Sequence, residues 1–250
     1  MMHSLFRRLP DRLIRIARAA RTMMGLYWTR SYAQEGEDII LRRIFEGQAS
    51  GFYVDIGAHH PMRYSNTYYF YKRGWRGINV EPNPDSIRLF RRYRGSDINV
   101  HCGVSNQDGK LRYYMFNDPA LNSFDENLSR ARDADTYRIT EIRDVTVRHL
   151  ESIFDELLPR GVTVDFMSID VEGLDLQVLQ SNNWNLYRPR VLLIEALSFD
   201  LDAVKSEPIH RFLEKNGYHL FAKTVHTLFY RDTQPSGGSS DDQQAAHIKR

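Results

Sequence analysis

The chain has 250 residues, 42% of them apolar, and a formal net charge of +2. That balance admits one large α/β domain with appendages and excludes a protein that binds polyanions through bulk charge. The single cysteine, Cys102, excludes an intramolecular disulfide framework and any multi-cysteine zinc site, and it fits a reducing, cytoplasmic compartment.

Residues 1–30 are expected to form a basic amphipathic helix. Between Met1 and Gln34 the only acid is Asp11, against Arg7, Arg8, Arg12, Arg15, Arg18, Arg21 and Arg30. Leu5, Leu9, Leu13, Ile16, Ala20, Met23 and Tyr27 recur at helical spacing. Arginines interrupt every apolar stretch, which argues against a secretory signal and a transmembrane span. Three uses stay open. The helix can lie on anionic lipid at the inner membrane face, with Met23, Leu26, Tyr27 and Trp28 in the head-group boundary. It can pack on its own domain or a second subunit, or serve as an organellar transit segment in a eukaryotic source.

Ser31 to Phe45 reads as a loop and a second helix with Ile39, Ile40, Ile44 and Phe45 inward. Five short apolar or β-rich runs follow: Phe52 to Ile56, Gly77 to Val80, Ile98 to Val104, Val164 to Ile169 and Val191 to Ala196. Runs of this length between turn signals and helices predict a doubly wound, mostly parallel α/β sheet. Gly109 to Phe116 reads as a β-ribbon, Ser206 to Phe221 as a helix stopping at Gly217 and feeding a strand, and His226 to Asp232 as part of an antiparallel edge hairpin. Asn117 to Arg143 is polar and weakly periodic, a candidate lid or substrate loop. Residues 233–250 have no core formers until near their end and are expected to be disordered. The domain reading is therefore 1–30, 31–232 and 233–250, with no internal repeat.

In an open α/β sheet the ligand sits beyond the carboxyl ends of the strands. Those ends carry Asp55, Gly57, Ala58 and His59; then Glu81 and Pro82; then Ser105; then Asp170 and Glu172; then Glu195. Glu81 stands 24 positions after Gly57, where an acid accepts both hydroxyls of a ribose. Asp55 can hold a cationic ligand group or orient its own turn, and Gly57 allows close backbone approach. The turn lacks the further glycines of a dinucleotide fingerprint, so the expected ligand is a nucleoside without phosphates, such as S-adenosylmethionine. Taken singly, each acid also reads as a turn former or helix cap.

The strings "YAQEGEDIIL", "FYVDIGAHHPMRYSNTYYFYKRGWRGINVEPNP", "DGKLRYYMF" and "DFMSIDVEGLDLQVLQ" resemble, in order and spacing, FkbM-type methyltransferases over residues 31–232. Rhizobial enzymes that O-methylate the fucose of Nod factors are similar. The resemblance implies a Rossmann-like class I methyltransferase fold, S-adenosylmethionine as cofactor and a sugar-containing acceptor. It also implies cofactor roles for Gln34, Asp38, Asp55, Gly57, Ala58 and Glu81, with Pro82 and Ser105 nearby, and a functional role for Asp170 and Glu172. His59 and Pro61 stand where many members have Asn and Gly.

Methyl transfer to a hydroxyl needs an aligned oxygen and a base. His59 and His60 are imidazole candidates that titrate near neutrality, and Asp170 and Glu172 are carboxylate candidates. Glu172 has an equal reading as a charge at the start of the helix from Gly173 to Leu179. A divalent cation held by Asp170, Glu172 and Glu195 is an option that the sequence does not require. His60, Tyr64, Ser65, Asn66, Asn122 and Ser123 are candidate sugar contacts, whereas Tyr68 to Tyr71 is expected to pack the first crossover helix. The rival readings are a nicotinamide-dependent oxidoreductase and a non-catalytic nucleoside-binding module; no nucleic-acid partner is expected.

Overall fold

A computed structural model describes residues 10–25, 28–196, 202 and 204–234. The expected helical residues Leu5, Leu9 and Tyr27, and the tail from Pro235 onward, lie outside them. The chain divides into two compact units, with the boundary along the chain between Ser31 and Tyr32. In the first, α1 spans Asp11–Met23.

The second unit is built on a seven-stranded sheet. Its strands are β1 (Phe52–Ile56), β2 (Arg76–Val80), β3 (Ile98–Val100), β7 (Phe166–Ile169), β8 (Val191–Glu195), β9 (Tyr218–Lys223) and β10 (Thr227–Asp232), in the order β3-β2-β1-β7-β8-β10-β9. In this sheet the neighbours β3-β2-β1-β7-β8 pair in parallel, and only β10 runs antiparallel, to both β8 and β9. The order reverses at β1, so the carboxyl ends of β1 and β7 flank the switch point where such sheets bind ligands.

Alternate residues of each strand enter opposite layers. Phe52, Val54, Ile56, Leu192 and Ile194 pack with Leu150 and Phe154 of α6 (Leu150–Leu157), Val178 and Leu179 of α7 (Asp175–Gln180) and Leu213 of α8 (Pro208–Lys215). Tyr53, Phe166, Val191 and Leu193 pack with Leu41 of α2 (Glu37–Ile44), Phe45, and Phe70 of the single-turn α3 (Tyr68–Tyr71). Burial on both faces is why the strands read as continuous apolar runs. The "YYFY" segment packs, as expected: Phe70 meets Trp75 at 4.8 Å and Phe166 at 5.0 Å between ring centroids.

Three local expectations are corrected. Ile39 is exposed, and α2 turns Leu41 inward instead. The run Ile98 to Val104 splits: β3 ends at Val100, and β4 (Gly103–Val104) joins a separate three-stranded sheet, β4-β6-β5, with β5 (Gly109–Phe116) and β6 (Ile139–Arg148). β6 begins inside the stretch expected to be a lid. Its first half is largely exposed and only Val145 and Val147 are buried, so the alternation that marks a half-buried strand is missing from its start. The remainder of that stretch holds a 3-10 turn at Pro119–Leu121 and α5 (Glu126–Arg132). The antiparallel edge hairpin forms as expected from β9 and β10, with β9 outermost and Leu228, Phe229 and Tyr230 of β10 fully buried.

Candidate active site

At the end of β1 the chain turns through Gly57, whose φ of 78° is left-handed and whose missing Cβ would collide with the carbonyl oxygen of Asp170. Only glycine lets β1 and β7 abut there. The amides of Gly57 and Ala58 both donate to the Val80 carbonyl, at 3.0 and 3.2 Å. The His59 amide donates to Glu81 Oε2 at 2.7 Å, and the Asn83 amide donates to Oε1 at 2.7 Å. Asn83 also caps α4 (Pro84–Tyr93) by accepting from the Asp85 amide. Both oxygens of Glu81 are thereby held rigidly at the tip of β2, each with a lone pair left for a ligand hydroxyl. Burial pushes the Glu81 carboxyl up to about 7.

A cavity of about 250 Å³ opens over these strand ends. Of the residues singled out in the sequence, Gln34, Asp55, Gly57, Ala58, His59, Tyr64, Asn66, Glu81, Pro82, Asn122, Asp170 and Glu172 line it. Asp55 is buried and accepts from the Thr67 hydroxyl at 2.8 Å; burial pushes its carboxyl up to about 6, against the Thr67 hydrogen bond and Arg94. Asn66 donates to Ser168 Oγ at 2.9 Å, and Asn122 accepts from the Phe116 amide at 2.7 Å.

Five expected contacts are not among the lining residues. The carboxylate of Asp38 accepts from the Tyr32 amide and pairs with Arg42, so it anchors the loop before α2. Ser105 is buried on the small sheet because β4 left the main one. The His60 ring accepts from the amides of Met62 and Arg63 and so caps its own turn. Ser65 Oγ accepts from the Tyr68 amide at 3.1 Å. Ser123 Oγ donates to the Glu172 carbonyl at 2.7 Å and accepts from the Asp125 amide, tying α5 to the turn after β7. The side chains of Asp38, His60, Ser65 and Ser123 satisfy nearby backbone, whereas the Ser105 hydroxyl is buried without a hydrogen-bond partner.

That turn is left-handed at Glu172 (φ 55°) and Gly173 (φ 108°). Its amides at Val171 and Gly173 donate to Asp175, so Asp175 does the capping considered for Glu172. The Glu172 carboxylate instead meets Arg132 of α5 at 2.7 Å. Asp170, Glu172 and Glu195 each present an oxygen, all within 4.8 Å of one another, an arrangement that can hold a divalent cation. Asp170 opens to the cavity but is surrounded by protein. Burial, then the Glu195, Glu172 and Asp175 carboxylates, drive its carboxyl well above the ordinary range, and burial with the same neighbours lifts Glu195 to about 8. The group titrates as a unit that retains protons near neutrality.

His59 behaves oppositely to its expectation. Burial, then Arg63 and His60, push its imidazole down to about 4; it lies stacked against Tyr64 and is neutral at pH 7. Sequence reading also missed Glu35, Glu37 and His226 on the far wall. Glu35 accepts from the His226 amide and pairs with its ring, and Glu37 accepts from Thr224 and Thr227. Only the β9–β10 hairpin brings them together, across some 190 residues. Tyr113, also on the wall, looked like an ordinary strand residue.

The Methyltransferase FkbM domain family matches residues 55–220. A comparison with curated proteins found no match. Among solved structures the chain is similar to a TehB-like SAM-dependent methyltransferase from Corynebacterium glutamicum (11% identity, 90% of this chain and 100% of that one, TM-score 0.41). It is also similar to Aeropyrum pernix fibrillarin with natively bound S-adenosyl-L-methionine (12%, 78% and 72%, TM-score 0.43). A third is the Burkholderia thailandensis 1,6-didemethyltoxoflavin-N1-methyltransferase with S-adenosylhomocysteine (14%, 90% and 89%, TM-score 0.41).

Proposed function

The chain belongs to the FkbM methyltransferase domain family, and from that premise we propose that it uses S-adenosylmethionine to O-methylate a sugar in a glycan, glycolipid or lipo-oligosaccharide. One observation carries the cofactor reading. The four successive amides from Gly57 to His60 are all consumed internally, by Val80, Val80, Glu81 and Ala58, so the turn keeps none for a pyrophosphate. A nicotinamide dinucleotide would find no cradle there. A phosphate-free nucleoside fits the donor set: Glu81 for the ribose hydroxyls, Asp55 for an ammonium group, Gly57 for close approach.

Bound S-adenosylmethionine supplies a methyl group activated on a sulfonium. The chain's own residues align the acceptor and take its proton. The Asp170–Glu195 pair is the favoured base: a carboxyl raised above its ordinary range is the stronger proton acceptor in its ionised fraction, which grows as pH rises toward about 8, whereas the neutral His59 is too weak a base and serves to orient the acceptor. A cation on Asp170, Glu172 and Glu195 would lower the pKa of a coordinated hydroxyl instead. Asn66, Tyr64 and Asn122 offer hydrogen-bonding groups on the acceptor side. Fucose of a Nod factor is the first acceptor to test, on the sequence similarity to rhizobial enzymes. The basic helix supports an acceptor at an anionic membrane, with the enzyme on the cytoplasmic side.

The test is label transfer from radiolabelled S-adenosylmethionine to fucosylated and other deoxy-sugar acceptors, with and without chelator. Transfer that chelator abolishes selects the cation route; transfer that survives selects the carboxyl pair. Binding of NAD in place of S-adenosylmethionine would overturn the methyl-donor reading, and binding with no transfer to any sugar would overturn the acceptor.

A further inference from the structure

Arg94, just beyond α4, is completely buried. Its ion pair with the equally buried Asp97, at 2.8 Å, offsets the cost of burying its charge, and Tyr53 accepts from it at 2.7 Å. Two further bonds leave this core. Nη1 donates to the Pro61 carbonyl at 3.1 Å, and Nη2 donates to Thr67 Oγ1 at 3.2 Å. Both partners belong to the segment that follows the Gly57 turn.

The direction of the second bond matters. A guanidinium has no acceptor, so Thr67 must accept from Arg94, and its one hydroxyl proton is free to point elsewhere. It points at Asp55 Oδ2, 2.8 Å away. A hydroxyl that donates to a carboxylate favours the ionised form, and a cation behind that hydroxyl reinforces the preference. We propose that Arg94 and Thr67 are positioning residues for the cofactor: Arg94, acting through Thr67, keeps Asp55 ionised and aimed at the cavity, and through Pro61 it holds the turn beneath. The proposal rests on the reading of Asp55 as the carboxylate that receives the cofactor's ammonium group.

The groups around Asp55 define the pH behaviour. Arg94 and Asp97 face it from beyond α4 and Glu81 from β2, while β2 and β7 place the uncharged Asn79 and Ser168 in register and Asp170 stands at the end of β7. With its carboxyl at about 6, the parent protein should lose cofactor affinity as pH falls through about 6.

Thr67→Val removes the relay and leaves the Arg94–Asp97 pair and Tyr53 in place. Calorimetric titration with S-adenosylmethionine from pH 5 to 8.5 should show the acid midpoint displaced upward by about one unit. The deficit relative to the parent should then grow toward about tenfold at pH 5 and shrink above pH 8. Thr67→Ser, which keeps the hydroxyl, should restore the parent profile. A deficit that is the same at every pH, or no deficit, would overturn the relay. Failure of the parent to bind S-adenosylmethionine at any pH would overturn the cofactor reading instead. Arg94→Lys, if folded by circular dichroism, should show the same upward shift, because a point charge cannot reach Asp97, Thr67 and Pro61 together.

Discussion

Glu81 and Gly57 illustrate how single positions carry this site. Glu81→Ala removes a carboxylate held by two backbone amides, and it should weaken S-adenosylmethionine binding by about 1–3 kcal/mol, the usual cost of losing a charged hydrogen-bond partner. An unchanged dissociation constant would take Glu81 out of the site. Gly57→Ala should destabilise the fold as well, by about 1–3 kcal/mol of backbone strain plus the displacement of Asp170, because its φ is left-handed and its Cβ position is already occupied; urea denaturation measures this. These two positions were legible in the sequence because glycine after a strand and an acid at the next strand end have few physical uses. His59 and His60 were not. A histidine's ring can cap a turn or face a cavity from the same position in the chain, and its proton affinity depends on burial that spacing does not report.

At the scale of elements, α1 carries its own pattern. Leu13, Ile16, Met23 and Met24 are exposed along it, and Trp28 follows, with Arg12, Arg15 and Arg18 on the same helix. Among the described residues no helix is long and apolar enough to cross a membrane. An interfacial helix needs only one apolar face and flanking arginines. Removing residues 1–29 should abolish sedimentation with vesicles containing anionic lipid while leaving transfer to a soluble sugar acceptor intact; vesicle binding that persists would refute the membrane role. The small sheet shows the opposite relation between sequence and element. β5 was recognisable from its β-rich run, but its partner β6 is half-solvated and charged, so its strand character depends on pairing with β5 rather than on burial of its own side chains.

Buried carboxyls gather at the carboxyl ends of the parallel strands, and the stability of the whole molecule should report this. Asp55, Glu81, Asp175 and Glu195 are lifted by burial to about 6, 7, 7 and 8. A carboxyl raised in the folded state binds more protons than in the unfolded chain, so its contribution is complete at low pH and is lost as pH rises through the folded value. The lowered His59 works the other way, but only between its ordinary value near 6.5 and about 4. From about pH 6.5 to 8 the carboxyls act unopposed, and the melting temperature of the ligand-free protein should fall across that window. A flat or rising profile by scanning calorimetry would contradict the charge cluster; a divalent cation that reverses the fall would place the ion there. By itself, the sequence determined the mostly parallel sheet, the Gly57 turn and the strand-end acids. Each is encoded locally, by apolar runs, by a left-handed backbone or by spacing from a strand. The tertiary structure alone decided that β4 leaves the main sheet, that His60, Ser65 and Ser123 serve the backbone, that Glu35 meets His226, and that Arg94 reaches Thr67. Those outcomes depend on which distant groups come within hydrogen-bonding range, and only the packed chain sets that.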